Sequence, residues 1–136
     1  MTERIALMGI SFGGYLAPRA VAFEKRIKAC IANGGVYDFH ATARMTAKDE
    51  KDLDSPKGAE EFDRFMYEKM KTDPSFRWVM ANGLFTFGAK SPSEWLKMTR
   101  AYTLQNVAGK ITCPCSSLIP KEARICRARP KSFLKR

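Results

Sequence analysis

The chain has 136 residues, 45% of them hydrophobic, and a formal net charge of +10. That is the size of one ordinary domain, with enough apolar content to build a core, so wholesale disorder is excluded. Residues 1–115 carry 17 Lys+Arg against 13 Asp+Glu, and residues 116–136 carry 7 against one; the basic excess belongs to the C-terminal stretch, which argues against nucleic acid as a partner of the whole chain.

Residues 4–8 (Arg-Ile-Ala-Leu-Met) open an apolar run closed by Gly9, Ser11 and Gly13-Gly14. Such a run suits a buried strand of a parallel sheet. Arg4, the apolar stretch and Ala20-Val21-Ala22 have the outline of a signal peptide, but Ser11, Gly13 and Gly14 interrupt it and Arg19 precedes the small residues. Residues 15–25 read as a helix with Leu16, Ala20 and Phe23 near one face. Pro18 is tolerable there only if it falls in the early turns. Residues 27–32 read as a second strand, ended by Asn33-Gly34-Gly35. The order strand, glycine turn, helix, strand is a β-α-β unit, which predicts parallel strands and a right-handed crossover.

Residues 41–110 change to helical character. Ser55-Pro56, Asp73-Pro74 and Ser91-Pro92 each place a capping side chain before a proline at the first helical position. Glu94 adds the spacing of a capping box at the third start. Phe62, Phe65, Met66 and Met70 form one stripe, and Trp95, Met98 and Tyr102 another; both read as core. Gly83 reads as the stop of the second helix. Lys110 to Cys115 looks like the entry to a further strand, after which no sustained apolar run develops. Leu118, Ile119, Ile125, Phe133 and Leu134 are too scattered to define a face.

The longest apolar runs are six residues, against the ~20 a membrane span needs, so no membrane partner is expected. Cys30, Cys113, Cys115 and Cys126 contain no C-x-x-C pair and read as free thiols in a reducing, cytoplasmic setting. A zinc set of Cys113, Cys115, Cys126 and His40 matches no familiar spacing, so no metal is expected.

Gly9-Ile10-Ser11-Phe12-Gly13 fits G-x-S-x-G, after a predicted strand and before a predicted helix. A random chain of this length shows the pattern about 4% of the time, and the strand–helix setting narrows that further. The chemistry explains the spacing. A nucleophilic serine must project from a strained strand-to-helix turn, so its neighbours at −2 and +2 must be small. The helix N-terminus behind it favours a developing oxyanion. A phosphate loop is the competing reading of a glycine-rich turn, but neither G-x-G-x-x-G nor G-x-x-x-x-G-K-[ST] occurs.

Residues 4–19, with Cys30-Ile-Ala-Asn-Gly-Gly-Val-Tyr-Asp38, resemble the nucleophile-elbow region of an α/β-hydrolase. The likeness is to the branch of dipeptidyl-peptidase-like hydrolases, esterases and the carbon–carbon hydrolase of nicotine degradation, and covers about residues 3–115. It implies an α/β class, a partial α/β-hydrolase fold with a β-α-β elbow unit followed by a helical cap segment. Residues 1–40 would be the elbow part of the core, 41–110 the cap-like insertion, and 111–136 the start of a core strand and a basic tail. By the same resemblance Ser11 is the nucleophile, the N–H of Phe12 one oxyanion donor, and Tyr15 a helix residue that need not meet substrate. The activity implied is cofactor-free hydrolysis of an ester, an amide or a carbon–carbon bond beside a carbonyl in a small molecule.

The family order is Ser, acid, His, yet residues 116–136 hold no Asp and no His. Asp38 is a weaker candidate acid, and His40, the single histidine, a weaker candidate base. Only eight residues precede Gly9, leaving no place for the second oxyanion donor. The expectation is therefore a fragment with Ser11 in place but negligible activity, marginal as a folded monomer and open to oligomer formation. The alternative is a non-catalytic interaction module using Arg124, Arg127, Arg129, Lys131, Lys135 and Arg136 on phosphates, although Phe133 is the one aromatic there.

Overall fold

The computed structural model describes residues 4–44 and 53–118. Strands β1 (Ile5–Ile10), β2 (Ile27–Asn33) and β3 (Cys115–Leu118) form a parallel sheet in the order β1-β2-β3. Helix α1 (Gly13–Phe23) crosses from β1 to β2. This is the β-α-β unit of a partial α/β-hydrolase fold. The expectations for the tail, including Cys126, Ile119, Ile125, Phe133, Leu134 and the six cations, fall outside the described residues.

The sheet buries what its sequence makes small and apolar. Ala17 and Val21 of α1 lie on Cys30 of β2, with Leu7, Ile27, Ile111, Cys113 and Cys115 packed around them. A second cluster joins Tyr15 and Ala22 to Leu104 and Val107. Pro18 sits past the first turn of α1 and is buried; its ring removes one intrahelical bond, and packing holds the helix together around it. The turn into β2 is clamped by Arg26, whose Nε and Nη2 donate to the two carboxylate oxygens of Glu24. That pairing pulls the Glu24 carboxyl down to about 2.

The described residues divide into two compact units, one of residues 4–39 and 102–118, the other of residues 40–44 and 53–101. Residues 102–110 group with the sheet. They hold the short 3-10 helix Ala108–Lys110 and the bridge between Asp38 and Thr103. Tyr102, read from sequence as part of a helix face with Trp95 and Met98, lies outside that helix and packs against Tyr15.

The second unit contains most of α2 (Phe39–Arg44) and the helices α3 (Pro56–Thr72), α4 (Pro74–Phe87) and α5 (Pro92–Thr99). All three capping expectations hold. Ser55 Oγ accepts from Gly58 N, Asp73 Oδ1 from Phe76 N and Ser91 Oγ from Glu94 N. The return bond of the capping box is displaced, because Glu94 accepts from the N–H of Lys90 rather than that of Ser91. Phe62 and Met66 are buried, while Phe65, one position off their face, is 57% exposed.

Gly83 does not end α4. The helix runs on to Phe87 and stops at Gly88, whose φ of 66° is the left-handed cap. Gly83 is small for another reason: a Cβ there would lie 2.9 Å from Trp95 Nε1 and 3.1 Å from its Cε2. The buried Trp95 ring lies against α4, edge-on to Phe87 at 6.3 Å. Gly83→Val is expected to lower the unfolding free energy by about 2 kcal/mol through overpacking. The exposed neighbour change Asn82→Ala should stay within about 0.5 kcal/mol of the parent. Urea unfolding of both variants checks the contrast, and equal midpoints would show that the Trp95 contact does not constrain position 83.

Candidate active site at the β1–α1 elbow

Ser11 lies between the end of β1 at Ile10 and the start of α1 at Gly13. Its φ is +56°, and it is the one non-glycine residue with positive φ among the described residues. A side chain in that region costs about 1–2 kcal/mol, so the surroundings must hold it there. Two backbone bonds do so. Ser11 N donates to Asn33 O at the end of β2, at 3.0 Å, and Ser11 O accepts from Gly14 N at 2.8 Å. The side chain is left exposed.

The small-residue rule holds at one of its two expected positions. A Cβ on Gly9 would sit 1.8 Å from the carbonyl oxygen of Gly13 and 2.9 Å from Ala17 Cβ. A Cβ on Gly13 would meet nothing within 4 Å. The collision is thus between a Cβ at position 9 and the backbone of Gly13, and a side chain at 13 is not what it forbids. Gly14 is the second tight position, with Asn33 O at 2.9 Å from a Cβ there. The spacing of the motif does not call for a small residue at 14; its task is to let α1 start against the end of β2.

Phe12 occupies the N-cap with φ −57° and ψ −31°, without a side-chain cap. Its carbonyl accepts from Tyr15 N and Leu16 N. The positive end of the α1 dipole therefore lies beside Ser11. The Phe12 ring is the hub of an aromatic group: Phe39 lies 4.4 Å away, Tyr102 5.5 Å and Tyr15 5.9 Å between ring centroids. Phe39 and Tyr102 were not legible as site neighbours, because 63 residues separate them. Phe39 N donates to Tyr102 O, which joins the two segments. Tyr15 itself is fully buried, and burial raises its hydroxyl pKa.

Asp38 shares the unit of Ser11, in its bridge to Thr103. His40 belongs to the helical unit, where its Nδ1 lies 2.8 Å from Thr99 Oγ1. Thr99 gives its hydroxyl proton to Leu96 O at 2.7 Å, so Nδ1 of His40 carries the hydrogen of that bond. Among the described residues no three His, Cys, Asp or Glu side chains gather as metal ligands, and no helix is long and apolar enough to cross a membrane.

Gly9→Ala is expected to cost more than about 3 kcal/mol or to abolish folding, since backbone, not a movable side chain, blocks the new methyl. Gly13→Ala should be neutral or stabilising by up to about 1 kcal/mol. Denaturant titration followed by circular dichroism distinguishes the two; a tolerated Gly9→Ala would mean that the turn is not held as described.

The prolyl oligopeptidase family matches residues 1–75. Among curated proteins, hydrolase acrC of Aspergillus aculeatus is 29% identical over 114 residues, 82% of this chain and 26% of that protein. The alpha/beta hydrolase ucsC of Acremonium sp is 33% identical over 106 residues, 76% of this chain and 21% of its own length. The 20-hydroxy-prefusarin hydrolase of Gibberella moniliformis is 32% identical over 117 residues, 82% of this chain and 27% of the relative. The chain thus spans about a quarter of the length of the curated relatives it matches. No solved structure matches it. With an elbow of this geometry and these relatives, the chain belongs to the prolyl oligopeptidase family of the α/β-hydrolases.

Proposed function

We propose that the chain is the nucleophile-bearing part of a serine hydrolase, with Ser11 attacking the carbonyl of a small-molecule ester, amide or carbon–carbon substrate. The observation that carries this reading is the positive φ of an exposed serine at a strand–helix elbow. Strain of this kind persists only where the surroundings over-determine it, and it clusters at functional sites.

In the proposed reaction the Ser11 hydroxyl loses its proton to a base as Oγ bonds to the carbonyl carbon. The tetrahedral oxyanion then develops beside the α1 N-terminus, where the N–H of Phe12 would serve as one donor. Collapse expels the leaving group, and water releases the acyl group. The ring of Phe12, set against Phe39 and Tyr102, would give an apolar surface to the part of the substrate beside the carbonyl.

The scheme needs a base. His40 is the single histidine of the sequence, and it belongs to the helical unit rather than to that of Ser11. An unassisted serine hydroxyl is a poor nucleophile, and loss of triad members costs several orders of magnitude in rate. The 136-residue chain is therefore expected to cleave aryl esters no faster than its Ser11→Ala variant. Turnover that Ser11→Ala and His40→Ala both abolish would instead make His40 the base. The electrostatics of the elbow have their own test. A thiol introduced by Ser11→Cys should titrate below the ordinary value of about 8.5, because the helix N-terminus favours its anion. Alkylation rate against pH, read by peptide mass spectrometry, gives that value. An introduced thiol that titrates at or above the ordinary value would remove the oxyanion-stabilising role.

A further inference from the structure

Cys30 and Cys115 are direct partners in the parallel ladder between β2 and β3. Side chains paired in this way leave the same face of the sheet, and neighbouring strands lie about 4.7–4.9 Å apart. That separation falls inside the Cα spacing of about 4.4–6.8 Å that disulfides span. Cys115 packs against the cluster that contains Cys30, and its side chain is within hydrogen-bonding reach of the Cys30 thiol. Neither is in a disulfide in this structure; Cys30 is buried and Cys115 half-buried.

From this register pairing we propose that Cys30 and Cys115 form a reversible cross-strand disulfide when the protein meets a peroxide. The half-buried Cys115 is the sulfur the oxidant reaches. Its thiol is oxidised to a sulfenic acid, and the peroxide O–O bond breaks to give water or an alcohol. The Cys30 sulfur then displaces the hydroxyl as a second water, and the S–S bond forms. The two thiols supply two electrons and two protons, and a dithiol reductant returns them. Burial pushes the Cys30 thiol up to about 12, so the oxidant meets Cys115 first, and it is the ladder register, not thiolate character, that brings Cys30 onto the sulfenic acid.

The bond would tie β3, a strand of four residues, to the middle of the sheet. Beyond the pair, the ladder continues to Gly34 N, which donates to Leu118 O at 3.0 Å. Gly34 follows Asn33, whose carbonyl holds Ser11 N. The disulfide would therefore stiffen the strand end on which the elbow rests.

The test treats the folded chain with hydrogen peroxide, blocks remaining thiols with N-ethylmaleimide and maps peptides by mass spectrometry. The expected result is a Cys30–Cys115 linked peptide lighter by two hydrogens, lost on adding dithiothreitol and retained in Cys113→Ser. Phenylarsine oxide, which bridges neighbouring thiols, should be retained by the unmodified sequence and released from Cys30→Ala, whether or not Cys113→Ser folds. A disulfide joining Cys113 to Cys115, a pairing with Cys126, or a sulfinic acid on Cys115 with Cys30 still reduced would each overturn the proposal.

Discussion

One hydrogen bond sets the geometry of the elbow. Ser11 gives its backbone N–H to the carbonyl of Asn33, at the end of the neighbouring strand. The bond comes from a residue already turned out of the β region, with φ at +56°. β1 and β2 must therefore be in register before Ser11 can take its strained conformation. In turn, α1 can start only where Gly9 allows the backbone of Gly13 to approach and Gly14 allows that of Asn33. Strand pairing, helix start and serine exposure are consequently one cooperative arrangement. A single added methyl at Gly9 disturbs all three.

Much of this was legible because local chemistry and tertiary role coincide. The three cap–proline pairs of the helical unit act through their own first turns, and each appears where its residues stand. The elbow itself was legible because a serine on a tight strand-to-helix turn, with a glycine two positions before it, leaves a short local spacing. What escaped the sequence depended on distant partners. Gly83 looks like a helix stop until Trp95 is found against it. Tyr102 follows the spacing of Trp95 and Met98, but α5 ends at Thr99 and Tyr102 packs on Tyr15 instead. Ser116 and Ser117 carry no apolar signal, yet they join β3 because β2 offers an edge for them to pair with.

The cysteines illustrate the same limit from the other side. Residues 30 and 115 are 85 positions apart in sequence, with no spacing rule to connect them. A parallel ladder makes them neighbours. The sequence alone supports free thiols and nothing more. The register adds a geometry in which two of them share a face, and it separates Cys115, half-buried, from Cys30, buried against α1.

The helical unit contains a tie whose importance lies in assembly. Asp63 of α3 accepts from both the backbone N–H and the hydroxyl of Ser93, at 2.6 and 2.9 Å. Ser93 is in the first turn of α5, so a side chain from thirty residues earlier helps to cap that helix. An eight-residue helix has little tendency to exist alone, since the first turn is expensive to nucleate. α5 therefore depends on α3 as a template. One carboxylate thus carries the dependence of the shorter helix on the surface that the longer one provides.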